Sequence, residues 1–261
     1  MWKSFLISSF FSILSIYVSG QTKNNPSKTL EAVCIVGSDV GESYETRTEE
    51  ISAYLESQNV KVHRFYDGNN NWEKIKKAAE NCTFFIYSGH GTYLGLDGGF
   101  GGMVVDDFIS AQQIMNELKF KKDAIVVYQS ACGGAGSSAG DQGDIGLKTA
   151  ESRIIGTATP FLLSGAKAYY ANNYYGGALN FVKGMLEGKS VNESFINTAQ
   201  TWTRIEKNQL YSDKRLSTIN HIGITSDKDY NKSSSTRKSY SIAYVGIPTF
   251  KINEAAILSK K

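Results

Sequence analysis

Short apolar runs that alternate with helix-period segments constrain this chain more than any other feature. Ala32-Val33-Cys34-Ile35-Val36 closes on Gly37, and Thr83-Phe84-Phe85-Ile86-Tyr87-Ser88 runs straight into Gly89-His90-Gly91. Ala124-Ile125-Val126-Val127-Tyr128 leads into Ser130-Ala131-Cys132, and Ala166 to Ala171 has the same character. Continuous apolar strands of this length are buried on both faces, which is the mark of a parallel sheet. Between them, Ile51, Tyr54 and Leu55 recur at helical spacing, Asn71 precedes Trp72, Ile75, Ala78 and Ala79, and Ala178, Phe181, Val182 and Met185 form a third helical face. Val60 to Phe65 alternates as a strand, and Ser239 to Phe250 is a last strand. Ser110 with Gln113, and Ser190 with Glu193, carry the spacing of capping boxes. Thr159-Pro160 is read as the opening of a further helix, with Pro in the first turn. Strands alternating with helices predict an α/β domain: a mainly parallel sheet with helices on both faces, over residues 30–261.

The segments outside that pattern are polar or Gly-rich. Gly95 to Gly102 is expected to form a hairpin or loop, Gly133 to Ser152 a mobile loop, and Thr225 to Ser239 another. Residues 21–29 are a polar lead-in. Ahead of them, Lys3 and the uncharged run Phe5 to Val18, followed by Ser19-Gly20, read as an export signal over residues 1–20. The expectation is a secreted or periplasmic protein that has no membrane segment once the signal is removed. Lys and Arg total 28 against 25 Asp and Glu, a net +3, and no basic block or basic-aromatic stripe is present, which argues against a nucleic-acid partner.

The chain has 3 cysteines, Cys34, Cys82 and Cys132. That number is no disulfide framework for an exported protein of this size, and one thiol must stay free or pair between chains. Cys132 is the candidate nucleophile. It sits at a strand-to-loop junction and is followed by Gly133-Gly134-Ala135-Gly136, where backbone can approach a substrate closely. A thiol needs a base to become thiolate near neutral pH. His90 stands at the equivalent end of the preceding strand, and ligands of such sheets bind at the carboxyl ends of the strands. His63, inside a strand, reads as structural, and His221 lacks a glycine context. Metal binding has no CxxC or HxxxH spacing to support it, and neither Gly-x-Gly at Gly89–Gly91 nor that at Gly99–Gly101 opens a helix that would cradle phosphate, so no cofactor is expected.

Ser88-Gly89-His90-Gly91 followed by Ser130-Ala131-Cys132-Gly133-Gly134 resembles the His-Gly and Ala-Cys pair of the caspase-like cysteine peptidases, a group that includes caspases, metacaspases, legumains, gingipains and the CHAT-domain proteases. Ser110 to Leu118, Ser164-Gly165-Ala166-Lys167-Ala168 and Gly188-Lys189-Ser190-Val191 look CHAT-like. Tyr244-Val245-Gly246-Ile247-Pro248-Thr249 resembles a gingipain-type closing strand, with Ile247 where that pattern has Asp. The likeness runs from about Leu30 to Phe250.

The resemblance implies a caspase/hemoglobinase fold and a Cys132–His90 dyad that hydrolyses peptide bonds, with the N–H groups of Gly91 and Cys132 holding the oxyanion. It implies a peptide or protein substrate. Metacaspases and clostripain-like enzymes place Asp two residues before the Cys, at the floor of a pocket for basic residues. Ser130 stands there instead, which withdraws that route to Arg or Lys specificity. Asp141, Asp144, Asn172, Asn173 and Tyr174 are the further substrate-pocket candidates. Self-cleavage within Gly133 to Ser152, with Lys148 or Arg153 as cut points, is a further expectation from the resemblance. A pseudo-peptidase that binds without cutting, and a thiol transpeptidase or acyltransferase, remain as alternative readings.

Overall fold

The computed structural model describes residues 30–66, 68–120, 123–173, 176–216, 220–228 and 238–252. The proposed signal (1–20), the polar lead-in (21–29), Tyr174 and most of the polar stretch 225–239 lie outside the described residues.

The chain opens with β1 (Glu31–Val36), α1 (Glu42–Ser57), β2 (Lys61–Phe65), α2 (Trp72–Ala79) and β3 (Phe84–Ser88). A small hairpin, β4 (Met103–Val104) with β5 (Phe108–Ile109), precedes α3 (Ala111–Glu117) and β6 (Ile125–Gln129). Then come α4 (Gly146–Leu163), β7 (Ala168–Asn172), α5 (Gly177–Leu186), α6 (Val191–Trp202), β8 (Thr203–Tyr211), β9 (Asn220–Asp227) and β10 (Tyr240–Gly246). The large sheet has the order β2-β1-β3-β6-β7-β10-β9-β8. β2, β1, β3, β6 and β7 are parallel, and β10, β9 and β8 continue the sheet by antiparallel pairing. The α/β class with a mainly parallel sheet is the one expected.

Alternation along each strand divides the core in two. Val33, Ile35, Phe85, Tyr87, Val126, Tyr128 and Tyr169 face α2, α3 and α4. Cys34, Phe84, Ile86, Ile125, Val127 and Tyr170 face α1, α5 and α6. Every residue of β3 and β6 is buried, as a strand covered on both faces requires. Because α1 and α2 lie on opposite faces, the order β2-β1-β3 reverses at β1. The crevice at the carboxyl ends of β1 and β3 is where open α/β sheets bind their ligands.

The helix starts follow from their caps. Asn71 Oδ1 accepts from Lys74 N at 3.0 Å. In α3, Ser110 Oγ accepts from Gln113 N and Gln113 Oε1 accepts from Ser110 N, at 3.2 and 3.0 Å. Ser190 and Glu193 make the same reciprocal pair at α6. Each cap is worth about 1 kcal/mol of helix stability.

Two expectations fail here. Pro160 does not open a helix: it lies inside α4, which begins at Gly146. Pro has no N–H to bond the Gly156 carbonyl, so α4 runs on to Leu163 with that one ladder bond missing. The segment 133–152 is not one mobile loop either. Residues 146–152 belong to α4, and residues 133–138 are buried. β8 and β9 were not expected at all.

Candidate functional site

The site is built on the carboxyl edge of neighbouring parallel strands. β3 and β6 pair in register from Phe84–Ile125 to Ser88–Gln129, so the loops that leave them start side by side. His90 lies two residues past Ser88, and Cys132 three past Gln129. The two loops touch. A Cβ added to Gly91 would fall 2.7 Å from the carbonyl carbon and 2.8 Å from the nitrogen of Cys132, with the Cys132 oxygen nearer still. Glycine is therefore required for this approach, and the backbones of Gly91 and Cys132 are packed against each other.

The His90 side is fixed from below and from the side. The Tyr87 ring is buried beneath the turn, and its hydroxyl reaches the carbonyl oxygens of His90 and Val104, at 2.8 and 3.0 Å, while accepting from Val104 N at 3.0 Å. Burial pushes the Tyr87 phenol above its ordinary range, so it stays a neutral donor. A Cβ on Gly89 would collide with that hydroxyl at 2.5 Å. The loop after β1 comes alongside: Ser38 donates through its hydroxyl to the Val105 carbonyl, and Asp39 adopts a left-handed φ of 58°. His90 Nε2 lies 3.1 Å from the Asp39 carbonyl oxygen. A carbonyl only accepts, so Nε2 carries the hydrogen. A neutral His90 then has its lone pair on Nδ1, which is the arrangement of a base.

The Cys132 side is a wound turn. Gly134 N donates to the Ala131 carbonyl, Gly136 N to that of Gly133, and Gly133 N to that of Ser137, at 3.1, 3.1 and 2.9 Å. Gly133 has a φ of 75°, and the Phe100 ring occupies the space its Cβ would need. Arg153 clasps this turn. Its Nη1 donates to the Gly136 carbonyl at 3.1 Å and pairs with Asp141 at 2.8 Å, and its guanidinium stacks over Phe100. Ser137 ties the turn to the start of β10 by exchanging hydrogen bonds with Tyr240, Tyr240 N to Oγ at 2.8 Å and Ser137 N to the carbonyl at 3.2 Å. Lys148 and Arg153 both stand in α4, and Arg153 is only 16% exposed. Both expected cut points therefore lie in helical backbone rather than in a mobile loop, Lys148 on an exposed position of its first turn, and the expectation of a loop at these two residues is corrected accordingly.

Two hollows flank the touching loops. One, of about 320 Å³, is lined by Tyr44, Arg47, Ser130, Cys132, Asn173 and Ser241, with residues 137–139 along one wall. Arg47 reaches it from α1, and its Nη1 donates to Ser130 Oγ at 3.1 Å. Ser130 has a φ of 58°, a left-handed conformation that costs a non-glycine residue roughly 1–2 kcal/mol. Its N–H on the Asn172 carbonyl at 2.8 Å, together with the Arg47 bond, holds it there. The other hollow, about 550 Å³, is apolar and lined by Asp39, His90, Gly91, Tyr93, Leu94 and Phe108. Tyr93 and Phe108 are 64% and 69% exposed at its mouth.

Of the further pocket candidates, Ser130 and Asn173 line the first hollow. Asn172 is fully buried and packs its side chain against Gly177. Asp141 is engaged by Arg153 and accepts from Ser138 N, and Asp144 accepts from the main chain of Lys238. Neither aspartate lines a hollow beside Cys132. Arg47 is the residue the sequence reading missed. A single cation among Glu42, Glu45, Glu49 and Glu50 on one helix is the signal that marks it.

Cys34 and Cys82 are buried, with their thiols pushed up by desolvation, Cys34 to about 12. His63 is held by Glu31 at 2.8 Å and His221 by the Tyr244 hydroxyl at 2.7 Å, so both histidines have structural partners. Among the described residues, no group of three or more His, Cys, Asp or Glu side chains is placed to hold a metal ion, and no helix is long and apolar enough to cross a membrane.

No protein-family model matches the chain, and no curated protein matches it. Among solved structures, it is similar to the Saccharomyces cerevisiae separase-securin complex, with 14% identity and a TM-score of 0.38. The match covers 66% of this chain and 10% of that one. A likeness of that size carries no weight in assigning chemistry, which rests on the residues at the rim.

Proposed function

We propose that this chain is an exported cysteine endopeptidase of the caspase-like kind, with Cys132 as nucleophile and His90 as its proton carrier. The observation that carries the reading is the contact of Gly91 with Cys132, which joins the His loop to the Cys loop at the carboxyl edge of adjacent parallel strands. Export rests on the sequence pattern of residues 1–20.

The chemistry follows from the positions. His90, with Nε2–H on the Asp39 carbonyl, takes the thiol proton on Nδ1. The Cys132 thiolate attacks the scissile carbonyl, and the carbonyl oxygen becomes an oxyanion. The N–H groups of Gly91 and Cys132, which belong to the touching segments, are the donors assigned to that charge. A preorganised donor of this sort is worth about 3 kcal/mol. His90 then delivers its proton to the leaving amine, the acyl group stays on Cys132, and water activated by His90 releases it.

The test is turnover of a peptide library by the mature chain beside variants. Cys132→Ala is expected to abolish cleavage, and His90→Ala to lower it to a similar degree, because members of one catalytic unit are not additive. Cys34→Ala is expected to keep activity, since Cys34 is buried in β1. Retained cleavage by Cys132→Ala refutes the assignment.

A further inference from the structure

We propose that the hollow beside His90 receives the side chain of the residue after the cut, and that the enzyme favours a large apolar residue there, with Tyr93 and Phe108 as its specificity residues. The inference rests on the peptidase reading and adds a preference on the leaving side of the bond.

Among the described residues, five large hydrophobic side chains are exposed, and three of them, Tyr93, Leu94 and Phe108, stand round this one hollow. Apolar surface gathered in a concave place and left uncovered marks a binding site, whereas scattered exposed apolar residues need no explanation. The hollow also shares His90 and Gly91 with the proposed catalytic site. That sharing fixes which part of a substrate it meets. The Cys132 sulfur bonds to the scissile carbonyl carbon as the C–N bond breaks, and the proton held by His90 passes to the departing nitrogen. The nitrogen must therefore come to His90, and the residue that carries it lies over the hollow of which His90 is a wall. Residues before the cut lie towards Cys132 and the smaller hollow that it lines.

The walls are held in place by the fold itself. Tyr93 packs on Phe100 with ring centroids 4.1 Å apart, and Phe100 fills the space beside Gly133 in the Cys132 turn. Gly101 N donates to the Thr92 carbonyl at 3.0 Å and Ala111 N to the Leu94 carbonyl at 2.9 Å, which pins the main chain on both sides of Tyr93. Phe108 pairs with Val104 across the hairpin, and Val104 is bonded to the Tyr87 hydroxyl that also reaches the His90 carbonyl. A volume of about 550 Å³ admits a leucine or phenylalanine side chain. Asp39 is the single acid among the described lining and is exposed there, so an acidic residue after the cut meets a like charge.

The experiment is kcat/KM for a peptide series cut at one bond and differing only in the residue after it. Leucine or phenylalanine is expected to exceed glycine by on the order of 10- to 100-fold, the scale of burying one such side chain, and aspartate to be the poorest of the set. Phe108 is exposed, so Phe108→Ala is expected to fold; in it, and again in Tyr93→Ala, the leucine-to-glycine ratio should fall towards one. A merely structural role for both would lower the two rates together and leave the ratio standing, which overturns the inference. A wild-type preference for glycine or an acid after the cut, or an apolar preference found only before it, also overturns the inference and leaves the peptidase reading standing. A wild-type dimer in sedimentation equilibrium that Phe108→Ala dissociates assigns the hollow to a second copy of the chain and overturns the inference likewise. Cleavage of no peptide removes the peptidase reading and the inference together.

Discussion

Gly91→Ala tests the contact on which the site depends. Gly91 has no left-handed φ, so alanine meets no backbone penalty there and the effect is one of space alone. The new Cβ would sit 2.7 Å from the Cys132 carbonyl carbon, nearer still to its oxygen and 2.8 Å from its nitrogen, whereas real Cβ atoms essentially never come within 3.0 Å of a neighbour. Cys132 cannot yield easily, because its turn is closed by three backbone hydrogen bonds and clasped by Arg153. The loops must therefore part by about an ångström, a misplacement that costs roughly 100-fold in rate when it falls between reacting groups. The same crowding is expected to destabilise the fold by about 1–3 kcal/mol. The assay is kcat/KM on the best library peptide together with the urea midpoint, so that a folded but slow enzyme is distinguished from an unfolded one. Gly91→Ala with wild-type kcat/KM would refute the reasoning that the loop contact sets the geometry of the proposed Cys132–His90 pair.

Two further outcomes follow from the same structure. Tyr87→Phe removes the hydroxyl that accepts from buried Val104 N and reaches the His90 carbonyl. It should cost about 2 kcal/mol in urea unfolding and lower kcat; an unchanged midpoint and rate would show that this prop is dispensable. At pH 8, a disulfide reagent should titrate Cys132 alone in the native protein and all 3 cysteines after unfolding; rapid reaction of Cys34 or Cys82 in the native state contradicts their burial. The Cys34 thiol has an ordinary value of 9.0 and a folded value raised to about 12. Its contribution to stability is complete below the ordinary value and is lost as pH rises from about 9 towards 12, so alkaline titration of the unfolding midpoint should fall through that window.

The parallel half of the sheet was legible in the sequence because strands buried on both faces leave uninterrupted apolar runs, as at Phe84–Ser88 and Ile125–Gln129. The capped helices were legible for a similarly local reason, the spacing of Ser110 to Gln113 and of Ser190 to Glu193. The antiparallel extension was not. β8 reads Thr-Arg-Ile-Glu-Lys-Asn-Gln-Leu-Tyr, an edge strand with much of its surface in solvent, and β9 interrupts its apolar residues with Gly223 and Thr225. Pro160 misled because its local chemistry suits a helix start, while the periodicity of Leu147, Ala150, Ile154, Ala158 and Phe161 that binds α4 to the core lay under a Gly- and Ser-rich approach. Cys132 and His90 were legible as candidates from their strand-end positions. Arg47 was not, because nothing local shows that α1 turns that side chain towards a residue 83 positions further along.

The sheet's outer margin at β8 has a bearing on how the protein behaves in a crowded compartment. An edge strand offers unpaired main-chain groups to any passing extended chain, and Leu210, 69% exposed, adds an apolar lure. A register shift between Ile205 and Lys207 breaks the regularity that a second sheet would need to zip on. Beside it, Arg204, Glu206 and Lys238 set charges along the border, with Lys238 2.9 Å from Glu206. A partner strand docking there would have to strip water from that ionic fringe and bend to follow the kink. The margin is thus protected against stacking into fibrils by the same residues that leave its pattern irregular in the sequence.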